Sequence, residues 1–156
     1  MKILFVCLGN ICRSPMAEGI MRKKIRERDL DWEVDSAGTS SWHTGEAPDK
    51  RAQLVVKKHG TDISMQRSRM FDFGDSVEFD KILVMDESNF SSVLETIGLD
   101  NEGDNVEYIM DYLYPGEKMP VPDPYFGNDG FEEVYQMLDQ ACDAFIEHQL
   151  LKKEVE

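Results

Sequence analysis

Residues Ile3-Leu4-Phe5-Val6-Cys7-Leu8 form an apolar run that stops at Gly9-Asn10 and gives way at once to a stretch of helical period. The run is far shorter than the about 20 apolar residues that span a bilayer. No small-residue cleavage site follows it, as a secretory leader would require. A strand that turns directly into a helix is the first half of a βαβ unit, and it commits the chain to a layered α/β domain.

The pattern then repeats. A first strand is predicted over Lys2–Val6 and a helix over Arg13–Asp29, with Ala17, Ile20, Met21 and Ile25 on one face. Pro15 falls in its first turn, where a missing N–H does no harm. Trp32–Ala37, closed by Gly38, reads as the second strand. A loop rich in Ser, Thr and Gly follows and carries Trp42 and His43. Pro48-Asp49 opens a helix that His59 caps and Gly60 ends. Residues 61–79 show no clean period and predict no element. Lys81–Met85 and Val106–Met110 read as the third and fourth strands, with a helix near Ser88–Ile97 between them. Tyr114–Gly127 holds Pro115, Pro120, Pro122 and Pro124 and reads as loop. In the last helix Asp129 is the expected N-cap and Glu132 its capping-box partner. Phe131, Val134, Leu138, Ala141, Cys142, Phe145 and Ile146 form its buried stripe, which makes Cys142 a core residue.

With no repeat and no linker, residues 1–156 are expected to fold as one domain. The expected architecture is a four-stranded parallel sheet flanked by helices on both faces, in three layers. Ligands of such sheets bind beyond the carboxyl ends of the strands.

Three cysteines, an odd number, make no disulfide framework and point to a reducing, cytoplasmic location. A net charge of −14 argues against nucleic acid or an anionic membrane as the partner. It also means that any anionic substrate must be gripped by strong local donors. No His, Cys or Asp grouping has metal-ligand spacing, so neither metal nor cofactor is expected. A monomer is the expected state.

The strand-to-helix turn, Cys7-Leu8-Gly9-Asn10-Ile11-Cys12-Arg13-Ser14-Pro15, has the chemistry of an anion seat. The main-chain N–H groups of Leu8, Gly9, Asn10, Ile11, Cys12, Arg13 and Ser14 can converge there at the positive end of the helix dipole. Gly9 and Asn10 tolerate the irregular backbone that a tight cradle needs. A thiol at a helix N-terminus beside a cation ionises more readily than a free one, so Cys7 is the candidate nucleophile. Arg13 supplies the cation and a planar fork for two phosphate oxygens. Ser14 can donate to the sulfur when it leaves.

Phosphoryl transfer to sulfur leaves an alkoxide or phenolate that needs a proton. Among 31 acidic residues, Asp123 stands apart because Pro122 and Pro124 flank it and restrict its backbone. Tyr125 is placed to stack on an aromatic substrate.

Taken together, Cys7–Pro15 and Asp123-Pro124-Tyr125 resemble the low-molecular-weight protein tyrosine phosphatase family. Ser36-Ala37-Gly38-Thr39, Trp42 and Met85-Asp86-Glu87-Ser88-Asn89 resemble its characteristic stretches too, in order along nearly the whole chain. The resemblance implies phosphotyrosine-containing proteins as substrates and inorganic phosphate as product. It assigns Cys7 as nucleophile, Arg13 as phosphate clamp and Asp123 as general acid. Asn10 and Ser36 would fix the loop's backbone, and Trp42 and Tyr125, with Ile11, would wall the substrate slot.

Some features depart from the family pattern. Several relatives place a His where this chain reads Ser64-Met65-Gln66-Arg67, so that support is absent here or is replaced by Gln66. Tyr125-Phe126 stands where relatives often have two tyrosines. Phosphoarginine phosphatases share the fold and nucleophile, but tend to carry Thr at the position of Ile11. An arsenate reductase would need a relay of cysteines, and residues 60–100 contain none. A non-catalytic phosphate-binding module would not need Cys7, Arg13 and Asp123 together. Cys12, in the same short loop as Cys7, is a candidate disulfide partner for it under oxidation.

Overall fold

The computed structural model describes residues 1–98, 103–127 and 129–155. Strands β1 (Lys2–Cys7), β2 (Glu33–Gly38), β3 (Lys81–Val84) and β4 (Val106–Tyr108) form one sheet in the order β2-β1-β3-β4. All three pairings are parallel, with Cys7 opposite Gly38 and Val6 opposite Val84. The helices are α1 (Arg13–Glu27), α2 (Lys50–Lys58), α3 (Phe73–Glu78), α4 (Glu87–Ile97) and α5 (Phe131–Val155).

Alternation along β1 divides the core. Ile3, Phe5 and Cys7 face one side with Met16, Ile20, Val56, Leu138 and Phe145 from α1, α2 and α5. Leu4 and Val6 face the other with Phe71, Phe79, Val93 and Ile97. Strands buried on both faces read as continuous apolar runs, which is why β1 and β3 stand out in the sequence.

The differences from expectation have local causes. The fourth strand stops at Tyr108, because Ile109–Tyr112 coils into a 3-10 turn that sends both Ile109 and Met110 into the same core. Successive side chains of a strand cannot share a face. Residues 61–79 do contain a helix, α3, nucleated by a reciprocal capping box between Asp72 and Asp75 rather than by an apolar stripe. The Pro-rich loop tightens into a 3-10 turn at Pro124–Phe126. Helix α5 begins at Phe131, so Gly130 rather than Asp129 directly precedes it. The carboxylate of Glu132 meets His59 instead, 2.9 Å from Nε2. His59 does cap α2, and its ring stacks on Tyr135 at 4.0 Å.

Beyond the carboxyl end of β1 the chain turns through residues 8–12 into α1. Gly38, at the end of β2, lies against this turn so closely that a Cβ would stand 2.9 Å from the Leu8 carbonyl oxygen. Only glycine permits that approach.

Candidate active site

The turn after β1 wraps around the Cys7 sulfur. Its backbone is shaped by Asn10, which sits at φ 57°, a region that Asn tolerates better than most residues. The Asn10 amide spans the site from beneath. Nδ2 donates to Ser14 Oγ at 2.7 Å and to Ser36 Oγ at 3.0 Å, and Oδ1 accepts from the Arg69 N–H at 3.1 Å. Ser36 Oγ in turn donates to the buried carboxylate of Glu18 at 2.7 Å. From the side, Ser68 Oγ donates to the Gly9 carbonyl and the Asp49 N–H to that of Ile11. Gln66 Nε2 donates to the Pro15 carbonyl at 3.1 Å, so Gln66 braces the first turn of α1.

These braces use carbonyls and side chains and leave the loop's own donors free. Among the described residues, the main-chain N–H groups of residues 8–13 meet no protein acceptor in the loop. The Ser14 N–H points to the sulfur at 3.4 Å, and Ser14 Oγ lies 3.0 Å from it. Main-chain amides left free in a loop that leads into a helix N-terminus suit an anion seat.

Arg13 is 2 % exposed. Its Nη1 donates to Asp86 Oδ2 at 2.7 Å and to the Val121 carbonyl at 3.0 Å, while Nη2 lies 3.6 Å from Asp123 Oδ2. Burial opposes its charge, but the neighbouring Cys7 sulfur, Asp86 and Asp123 outweigh burial and raise its pKa above the ordinary value. Asp86 is set by its second duty as N-cap of α4, accepting from the Asn89 N–H at 2.9 Å. Asp123 caps the 3-10 turn, accepting from the Tyr125 N–H at 3.1 Å through Oδ1.

Above the sulfur lies a cavity of about 200 Å³ lined by Cys7, Leu8, Gly9, Ile11, Cys12 and Arg13 below, and by Trp42, His43, Asp123, Tyr125 and Phe126 around the mouth. Trp42 and Phe126 are largely exposed, Tyr125 about one-third so. The floor is polar and cationic, the walls apolar. Such a space takes a planar, apolar group that ends in an anion.

Of the residues singled out in the sequence, Cys7, Leu8, Gly9, Ile11, Cys12, Arg13, Trp42, Asp123 and Tyr125 line this one cavity. Asn10, Ser14 and Ser36 lie beneath it as braces. Cys7 and Cys12 are both free thiols. Burial first, then the charges of Asp49, Cys7 and Asp123, push the Cys12 thiol well above its ordinary pKa, so Cys12 is held protonated. Cys142 is fully buried in α5, as its apolar stripe indicates.

Four contributors carried no sequence signal strong enough to single out their roles. His43 lines the mouth, tied to Glu46 at 2.7 Å and tilted against Tyr125. Glu18 supports Ser36, and Arg51 bridges to the Asp123 loop. Asp86 was the most accessible to sequence reasoning, since an acidic residue closing a strand next to β1 sits where ligands of parallel sheets bind.

A parallel α/β domain with a buried cysteine in a strand-to-helix loop of unpaired main-chain amides, and a buried guanidinium lining the same cavity, has the chemistry of an anion-binding protein with sulfur at its centre. Comparison with known proteins gives the family. Residues 2–156 match the profile described as low molecular weight phosphotyrosine protein phosphatase. The protein of that name from Rattus norvegicus is 43% identical over 151 residues, covering 94% of each chain. A solved protein tyrosine phosphatase from Entamoeba histolytica, with Hepes in its active site, matches with TM-score 0.90 at 37% identity, over 98% of this chain and 99% of that one. A solved arginine phosphatase from Drosophila matches with TM-score 0.86, also at 37% identity, over 96% and 98%. The chain belongs to the low molecular weight phosphotyrosine protein phosphatase family.

Proposed function

We propose that this protein hydrolyses phosphotyrosine in other proteins, with Cys7 as nucleophile, Arg13 as phosphate clamp and Asp123 as general acid and base. In the first step Cys7 Sγ attacks phosphorus, a sulfur–phosphorus bond forms and the bond to the phenolic oxygen breaks. The Asp123 carboxyl gives its proton to that oxygen. In the second step water attacks phosphorus and yields a proton to the Asp123 carboxylate. The sulfur departs as thiolate and inorganic phosphate is released. The amides of residues 8–13 and the Arg13 fork hold the equatorial oxygens, so charge stabilisation comes from the chain itself.

One observation carries this reading: the sulfur, the Arg13 guanidinium and the Asp123 carboxyl line a single cavity together with the apolar side chains of Ile11, Trp42, Tyr125 and Phe126. A tyrosine ring is long and flat enough to reach the floor between such walls, whereas a phosphoserine would leave them unfilled. The likeness to an arginine phosphatase supports phosphoarginine as a second reading. The branched, apolar Ile11 beside the sulfur favours an aromatic ring over a guanidinium.

Peptides carrying phosphotyrosine, phosphoserine or phosphoarginine, assayed side by side for phosphate release, decide between them. Turnover of phosphotyrosine alone is expected, with none in Cys7→Ser and a large fall in Asp123→Ala. Retained turnover in Cys7→Ser overturns the mechanism, and faster turnover of phosphoarginine moves the substrate assignment. Three free thiols support a reducing, cytoplasmic setting, and no helix among the described residues is long and apolar enough to cross a membrane. The proposed working state is a monomer.

A further inference from the structure

We infer that Arg51 is a positioning residue for this reaction, holding the Asp123 loop in register with the phosphate cradle. The inference rests on the reading of Asp123 as proton donor and adds what sets that donor's place.

Arg51 stands in the first turn of α2, between two loops. On one side its Nε and Nη2 grip the Asp49 carboxylate at 3.0 and 2.9 Å, and its own N–H donates to Asp49 Oδ1 at 2.8 Å. Asp49 is itself fastened to the cradle, because its N–H donates to the Ile11 carbonyl at 2.8 Å. On the other side Arg51 Nη1 donates to the Gly127 carbonyl at 2.7 Å and Nη2 to the Tyr125 carbonyl at 3.0 Å. The guanidinium also lies over the Phe131 ring, 4.7 Å from its centroid, at the start of α5.

The chain of contacts runs from Ile11 through Asp49, Arg51 and Tyr125 to Asp123, whose Oδ1 accepts from the Tyr125 N–H at 3.1 Å. Among the described residues, Arg51 makes the only hydrogen bonds that reach the backbone of residues 122–127 from outside that segment. The Gly127 N–H, by contrast, turns inward to Pro124. Prolines stiffen the turn; Arg13 and Met85 hold its start at Val121, and the planar fork of Arg51, with partners on both loops, holds its far side. Lysine, a single point donor, cannot reach the same set. The side chain is more than one-third exposed, so its loss should cost the fold little. Misplacing a catalytic group by about 1 Å can still cost on the order of 100-fold in rate.

Leaving-group dependence separates positioning from general support. An ester of a weakly basic phenol, such as 2,4-dinitrophenyl phosphate, departs without a proton donor, whereas phenyl phosphate needs one. Arg51→Ala, Arg51→Lys, Asp123→Ala and the Arg51→Ala/Asp123→Ala double variant are to be compared by kcat/KM on both esters, with melting temperatures alongside. For Arg51→Ala the expected result is a fall of about 10- to 100-fold on phenyl phosphate and less than about threefold on the dinitrophenyl ester. Arg51→Lys should show the same selective loss, in smaller measure. The double variant should be no slower than Asp123→Ala. An equal fall on both esters in Arg51→Ala, or a further fall in the double variant, overturns the inference while leaving Asp123 in its role. If Asp123→Ala itself shows no leaving-group selectivity, the general-acid reading fails and the role of Arg51 falls with it.

Discussion

The Ser14 hydroxyl oxygen lies 3.0 Å from the Cys7 sulfur while accepting a 2.7 Å hydrogen bond from Asn10 Nδ2. With that lone pair engaged, the hydroxyl proton is left to turn toward the sulfur or toward the Ala37 carbonyl at 3.3 Å. It serves the sulfur most when charge returns to it, as the cysteinyl-phosphate breaks down. Ser14→Ala should therefore slow the second step more than the first. A hydrogen bond to a charged group is worth roughly 1.5–3 kcal/mol, or about 10- to 100-fold in rate. Rapid quenching with an aryl phosphate should then show a burst of phenol close to one per enzyme. Slow turnover without a burst would mean that Ser14 acts earlier, on formation of the intermediate.

Asn10 combines two roles that substitution can separate. Asn10→Gly keeps the left-handed backbone without strain but loses the bonds to Ser14, Ser36 and the Arg69 N–H. Asn10→Ala loses the same bonds and adds the steric cost of φ 57°. Urea unfolding should rank wild type above Asn10→Gly and Asn10→Gly above Asn10→Ala, the last two differing by about 1 kcal/mol. Both should be poor enzymes. Equal stability of the two variants would show that the backbone angle relaxes and that the side-chain bonds alone matter.

Cys7 and Cys12 line the same cavity, so reach alone does not choose between them as targets for an alkylating agent. Ionisation does. Cys12 is held protonated, by burial above all, and Cys142 is pushed the same way inside the core. Iodoacetate near neutral pH should therefore add one carboxymethyl group, found on Cys7 by peptide mapping, with complete loss of activity. Excess inorganic phosphate, occupying the seat, should protect. Preferential labelling of Cys12 would sink the assignment of the nucleophile.

Much of this architecture could be read from the sequence because its signals are local. The runs that became β1 and β3 are buried on both faces, and helices α1, α2 and α4 carry an apolar stripe or a capping residue at their ends. Helix α3 escaped because it is a single capping box with scarcely any apolar face: Phe73 and Val77 are exposed, and its buried positions are Asp75 and Ser76. The end of β4 is not legible in the sequence, because Ile109 and Met110 are as apolar as a strand would want and only the packed structure shows both turned to one side.

The site divides in the same way. Cys7, Arg13 and Asp123 sit in motifs whose chemistry is written in adjacent residues. Glu18, Arg51 and Asp86 act on partners distant in sequence, Asp86 pairing with Arg13 across 73 positions and Arg51 with Tyr125 across 74. No local pattern marks such pairs. Gln66 is visible as a letter in the sequence, yet its consequence is not: the amide reaches the Pro15 carbonyl, while its own oxygen is buried without a partner among the described residues.

Glu18 gives the support network a pH signature. Burial raises its pKa above the ordinary carboxylate value, against the opposing pull of the Ser36 hydroxyl and Arg22. The unfolded chain, with Glu18 in water, ionises first as pH rises. Its contribution to stability is therefore complete below the ordinary carboxylate value and is lost as pH climbs through the raised one. Glu18→Gln cannot ionise, yet its amide oxygen can still accept from Ser36 Oγ, so the brace beneath the cradle survives. The stability difference between variant and wild type should thus shift in favour of Glu18→Gln as pH rises from the ordinary carboxylate value through the raised one. Urea midpoints across that range would show it, and activity should stay near wild type if the Ser36 contact is what the cradle needs. A difference that stays flat, or that turns against the variant as pH rises, would mean that the Arg22 pair at 2.9 Å keeps the carboxylate ionised in spite of its burial.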